Sequence, residues 1–95
     1  MVLRSFIFDS KNNNWSYDNG FNMLFLRGTQ QHLNDVLRLR GYVYLNQICE
    51  ALGDKWNPED ENVCVKYNEH SNTVIDLSVV KQSKNSYQIH IMSLN

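Results

Sequence analysis

The last third of the chain alternates apolar and polar residues with a period of two. Val63, Val65 and Tyr67 alternate with Cys64 and Lys66. Thr73, Ile75, Leu77 and Val79 alternate with Val74, Asp76, Ser78 and Val80. Tyr87, Ile89 and Ile91 alternate with Gln88, His90 and Met92. Successive side chains of a strand point to opposite faces, so this pattern predicts strands with one covered face. Antiparallel sheets tolerate that asymmetry, and parallel sheets do not. Asn68–Asn72 and Lys81–Ser86 supply the turns between the three runs.

A sheet covered on one side needs a partner layer. Gln30–Arg40 carries Leu33, Val36 and Leu37 on one helical face, with Thr29 as a candidate N-cap. Arg38 and Arg40 suit the negative end of the helix dipole, and Gly41 fits the left-handed stop. A second helix, Asn46–Leu52, places Leu45, Ile48, Cys49 and Leu52 on one side and stops at Gly53. Asn46 is its expected N-cap. Towards the N-terminus, Leu3–Phe8 reads as a strand, and Phe21–Arg27 as a second one entered through an Asn19-Gly20 hairpin turn. The expected order is β-β-α-α-β-β-β. The expected architecture is a single α+β domain over residues 1–95, a two-layer sandwich with both helices on one face of an antiparallel sheet.

The stretch GYVYLNQICEALG, Gly41 to Gly53, lies between a helix and a β-rich tail. It resembles a motif in small uncharacterised proteins of Gram-positive bacteria and of their phages and mobile elements. There, a Gly-aromatic-hydrophobic-aromatic-Leu-Asn segment leads into a short helix ending in Leu-Gly, followed by strands. The resemblance implies an α+β domain and an accessory role. It supplies no catalytic residue.

Composition excludes several function classes. Nine basic and ten acidic residues leave a net charge of −1, which gives no general attraction to nucleic acid or an anionic membrane. No apolar run approaches the length of a membrane span, and the N-terminus lacks the pattern of a signal peptide. Two cysteines, Cys49 and Cys64, are too few for a disulfide scaffold. Free thiols and a cytoplasmic location are expected. His32, His70, His90 and the cysteines show no metal-ligand spacing, and with four glycines there is no phosphate cradle. No cofactor, metal or small-molecule substrate is expected.

Three function classes remain. Cys64, Asp76 and His90 would approach one another on the polar face of adjacent strands, which suggests a Cys/His hydrolase. Asp76 would then stand between the other two, whereas a triad needs the histidine in the middle. Phe6, Phe8, Phe21 and Phe25 with Arg4, Arg27, Arg38 and Arg40 suggest a small nucleic-acid-binding sheet, against the near-zero charge. The favoured reading is a non-enzymatic module that contacts another protein. Trp15 and Tyr17 sit in an Asn-rich loop, and Trp56 in an acidic loop with Glu59, Asp60 and Glu61. Loop tryptophans and tyrosines make binding hot spots, and the acids would steer a basic partner. Those six residues form the expected partner-binding set.

Overall fold

The two longest alternating runs form β4 (Val74–Ser83) and β5 (Ser86–Leu94), paired antiparallel with Asp76 opposite Met92 and Ser78 opposite His90. The computed structural model describes residues Met1–Asn95 throughout. The other elements are β1 (Val2–Asp9), α1 (Asn19–Arg40), β2 (Tyr42–Tyr44), α2 (Leu45–Leu52) and β3 (Cys64–Lys66). The fold is α+β. A three-stranded antiparallel sheet runs in the order β1-β5-β4, beside a two-stranded β2-β3 ribbon. Phe8, Ile75, Leu77, Tyr87, Ile89 and Ile91 cover the inner face of the larger sheet. They share one core with Leu26, Leu33 and Leu37 of α1 and with Leu45, Ile48, Cys49 and Leu52 of α2. Each such side chain contributes about 1.5–3 kcal/mol by leaving water. No helix is long and apolar enough to cross a membrane.

The N-terminal third departs from the sequence expectation. Phe21–Arg27 is not a strand, and Asn19-Gly20 is not a hairpin turn. Both belong to α1, a 22-residue helix. Its cap is Asp18, whose carboxylate accepts from the Gly20 N–H at 2.8 Å, and Thr29 lies inside the helix. Asn22, Leu26, Leu33 and Leu37 are buried along one face. Phe21 and Leu24 stand exposed on the other side. Apolar residues on both sides of the helix hide the helical period and imitate a buried strand. The far end matches expectation: Gly41 has φ 90°, and its N–H bonds the Leu37 carbonyl at 2.8 Å.

The strand meander is also corrected. β3 pairs with β2 rather than β4, with Val43 opposite Val65 and Tyr44 opposite Cys64. The Leu45 N–H donates to the Val63 carbonyl and the Tyr67 N–H to the Gly41 carbonyl, each at 2.9 Å, so the ribbon is tied beyond both ends of its ladder. Burial of Val43 and Val65 together decides the pairing. α2 starts directly from β2. Tyr44 is its N-cap, and the Tyr44 N–H donates to Gln47 Oε1 at 3.0 Å. Asn46 is therefore inside the helix, and it is buried.

Asn46 belongs to a recurring device. A primary amide carries one acceptor and two donors, so it can occupy a peptide N–H and a carbonyl together. Asn46 does so with the backbone of Asn57, at 3.1 and 3.0 Å. Asn22 does so with Ser16, at 2.8 and 2.7 Å. Asn34 does so with Ile75, at 2.8 Å for both bonds. Beside Asn34, Gln30 accepts from the Leu77 N–H and Arg27 donates to the Leu77 carbonyl, both at 2.9 Å. Side chains of α1 thus take the place of a further strand along β4, where an open edge would invite intermolecular pairing.

A candidate binding groove at Trp56

The loop after α2 is fastened from several directions. Gly53 closes the helix with φ 80°. The Asp54 N–H returns to the Cys49 carbonyl at 2.8 Å. Asn46 holds the backbone of Asn57, as described. Asn57 caps a short 3-10 turn, Pro58–Asp60, by accepting from the Glu59 N–H at 3.0 Å. Arg4 reaches in from β1, where a register shift between Val2 and Arg4 leaves Arg4 opposite the inward-facing Ile91. Its guanidinium lies 3.5 Å from Asp54 and 3.7 Å from Asp60, with every side chain of the trio mostly buried. It also donates to Cys49 Sγ at 3.4 Å.

None of these ties uses the Trp56 side chain, which is 54% exposed. It lines a groove of about 420 Å³ with Tyr44, Gln47, Glu50, Glu61 and Asn62, and with the buried Asn46 behind them. Tyr44, Gln47 and Glu50 step by three along the start of α2, which puts them on one side of it. Glu50 and Glu61 are exposed, and no basic residue lines the groove. Arg40 donates to Gln47 Oε1 at 2.8 Å while its guanidinium stacks over the Tyr42 ring at 4.6 Å. Two aromatic rings and two carboxylates, with no internal cation, form a surface that favours a cationic, partly aliphatic group. A ring face attracts such a cation, and the carboxylates add Coulomb attraction.

The six residues expected at a partner surface do not line one groove. Trp56 and Glu61 do. Glu59 is exposed beside it, and Asp60 is turned to Arg4. Trp15 is half-buried, with its ring 5.4 Å from Phe8 and 5.5 Å from Tyr87, so it fastens its own loop to the core. Tyr17 is 83% exposed at the entrance to α1. Tyr44 and Glu50 are groove residues that the sequence reading passed over. No local period in the sequence marks them, because Tyr44 precedes the helix as its N-cap and Glu50 lies on it.

The structure separates the hydrolase candidates. Cys64 lies on the β2-β3 ribbon, away from the sheet that holds Asp76 and His90. His90 Nδ1 pairs instead with Ser5 Oγ, and His90 stands opposite Ser78. Cys49 is buried, and desolvation pushes its thiol up from the ordinary range despite the nearby Arg4. A neutral thiol is a poor nucleophile. No three His, Cys, Asp or Glu side chains gather in an arrangement that could hold a metal ion.

Comparison of the chain with protein-family models, curated proteins and solved structures found no match. None of these comparisons supports the expected likeness of Gly41–Gly53 to phage-borne and mobile-element proteins. The fold accounts for much of the segment: Gly41 and Gly53 take positive φ, and Val43, Leu45, Asn46, Ile48, Cys49 and Leu52 are buried.

Proposed function

We propose that the chain is a non-enzymatic interaction module that takes a basic side chain of a protein partner into the Trp56 groove. The observation that carries this reading is a large indole left half-exposed on a loop that other groups hold. Covering that exposed half removes at most about 130 Å² from water, a gross gain of about 3 kcal/mol from which the costs of association are subtracted. A cation over the ring adds about 0.5–2 kcal/mol. Together these reach the scale of an interface hot spot. In the setting that the Gly41–Gly53 resemblance implies, the module is an accessory protein of a phage or mobile element acting in a bacterial cytoplasm.

The test reads Trp56 fluorescence in a Trp15→Phe background, with two short peptides that differ only in Lys versus Glu at their centre. The Lys peptide should give a saturable change that weakens with salt and with Glu50→Gln/Glu61→Gln. Trp56→Ala, with a reporter on the peptide, should weaken binding by about 2 kcal/mol or more. It should cost less stability than the 3–5 kcal/mol of a core tryptophan truncation. Equal responses to both peptides, or an emission that is blue-shifted and closed to acrylamide, defeat the proposal.

A further inference from the structure

The Trp56 groove does not end at Tyr44. Tyr44 also lines a second hollow, of about 370 Å³, with Tyr42, Cys64, Lys66 and Tyr67 on the outer face of the β2-β3 ribbon. The ladder puts these side chains there. Val43 and Val65 face each other and are buried, so their neighbours along both strands turn outward. Tyr42 stands opposite Lys66, and Tyr44 opposite Cys64. The Tyr42 and Tyr44 rings meet edge to face at 5.6 Å, and the two residues are 39% and 40% exposed. Neither packs against the core.

The two hollows are opposite in charge. Glu50 and Glu61 line the Trp56 groove, which has no basic residue. Lys66 lines the ribbon hollow, which has no acidic residue. Arg40 strengthens the second field, with its guanidinium 4.6 Å from the centre of the Tyr42 ring. It spends two of its five N–H donors, on the Tyr42 carbonyl and on Gln47, and both acceptors are neutral, so its charge is not offset. No carboxylate lies within 4 Å of Arg40 or Lys66.

We infer that the ribbon hollow is the second half of one docking site. Its occupant is an extended peptide whose basic residue enters the Trp56 groove while an acidic residue four positions away meets Lys66 and Arg40. The inference rests on the Trp56 groove taking a basic side chain. Charge complementarity selects this occupant. A wholly basic segment would set its second cation against Lys66 and Arg40. A polyanion would set its charges against Glu50 and Glu61. Residues four apart in an extended chain share one face and lie about 13 Å apart. The two rungs of the ribbon, Tyr42 with Lys66 and Tyr44 with Cys64, are about 7 Å apart. Such a peptide therefore reaches past both rungs, with its charged side chains on either side of Tyr44. Its middle residue, on the same face, meets the tyrosine pair, where an apolar side chain fits best. Tryptophan, tyrosine and arginine are the residue types that dominate binding energy at interfaces, and this surface combines all three.

The test uses three peptides with Lys at the first position and Glu, Gln or Lys at the fifth, read by Trp56 fluorescence in the Trp15→Phe background. The Glu peptide should bind about five-fold more tightly than the Gln peptide, and the Lys peptide more weakly than either. Lys66→Glu should reverse that order. Lys66 is exposed, so the urea midpoint of the variant should stay close to that of the wild type. Cys64 supplies a readout that filling the Trp56 groove alone would not move. Saturating Glu peptide should slow its alkylation at least about three-fold, because thiol reactivity follows access. A peptide cut after its Lys should leave that rate unchanged. Equal affinity for the Glu and Gln peptides, an order that survives Lys66→Glu, or a Cys64 rate that the Glu peptide does not slow overturns the inference. Each of those results leaves Lys capture at Trp56 intact. Failure of every peptide to bind overturns both.

Discussion

Asn34→Ala removes both bonds that seal the edge of β4 at Ile75, and its cost can be worked from the structure. Ile75 is fully buried, and Asn34 supplies one donor and one acceptor to its backbone, each at 2.8 Å. Each lost bond is worth about 1 kcal/mol net, and more where the orphaned group stays shielded from water. Alanine returns about 0.6 kcal/mol in helix propensity. The expected loss is about 2–3 kcal/mol, out of a total of about 5–14 kcal/mol for a chain of this length. Urea unfolding of the variant beside the neighbouring Asp35→Ala, on the exposed side of α1, gives the contrast. Asp35→Ala should stay within about 0.5 kcal/mol of the wild type. Asn34→Asp keeps the acceptor for the Ile75 N–H but sets a carboxylate against the Ile75 carbonyl. It should cost at least as much as alanine near neutral pH. The opened edge should also raise concentration-dependent aggregation. An Asn34→Ala midpoint indistinguishable from that of Asp35→Ala refutes the reasoning, because it means water serves Ile75 as well as the amide does.

Two glycines with positive φ should respond unequally. Gly41→Ala meets open space and should cost about 1 kcal/mol, the penalty of a left-handed residue alone. At Gly53 a Cβ would come within 2.7 Å of the Asn12 and Asn14 amides, and the Asn12 amide also bonds the Leu52 carbonyl at 2.8 Å. Gly53→Ala should therefore cost more than Gly41→Ala in the same urea series; the reverse order would refute the argument. For Cys49 the native thiol is raised, so the native state holds its proton longer than the unfolded chain does. Its contribution is complete below the unfolded value of about 8.5 and is lost as pH rises from there through the folded value. Cys49→Ala should flatten that part of the stability–pH curve. In the native protein, brief alkylation followed by mass spectrometry should find Cys64 modified before Cys49.

The elements most legible in the sequence are those whose side chains face one way only. β4 and β5 are buried on one face, so the period of two survives in the residues. The C-terminal half of α1 and all of α2 end on glycines whose left-handed backbone is a local demand. The N-terminal half of α1 was misread because Phe21 and Leu24 are apolar yet exposed, which erases the contrast between faces. The pairing of β3 with β2 was hidden for another reason. Ladder partners 22 residues apart, Val43 and Val65, are set by tertiary burial, and no local turn chemistry announces them. The device least visible in the sequence was the use of asparagine as a surrogate backbone. Asn34 and Asn46 look like ordinary polar helix residues until their partners are known.

The two tryptophan loops show why exposure at Trp56 is informative. The loop between β1 and α1 is held by Asn22 on the Ser16 backbone and by Asn12 on the Leu52 carbonyl, and Trp15 adds its ring against Phe8 and Tyr87. The loop after α2 is held by Asn46 on the Asn57 backbone, by Arg4 between Asp54 and Asp60, and by the Asn57-capped turn. Those ties are polar and lie beneath the loop, so they fix its path without drawing the indole inward. A small core gains from every large apolar side chain it can enclose. Here the loop is rigid and its largest side chain still faces solvent. Such rigidity lowers the entropic cost of binding, because the groove need not be ordered when a partner arrives. Arg4→Gln separates the two roles. It should loosen the loop and weaken capture of the Lys peptide while Trp56, Glu50 and Glu61 remain in place. Unchanged affinity in a measurably loosened loop would show that pre-organisation contributes nothing to the groove.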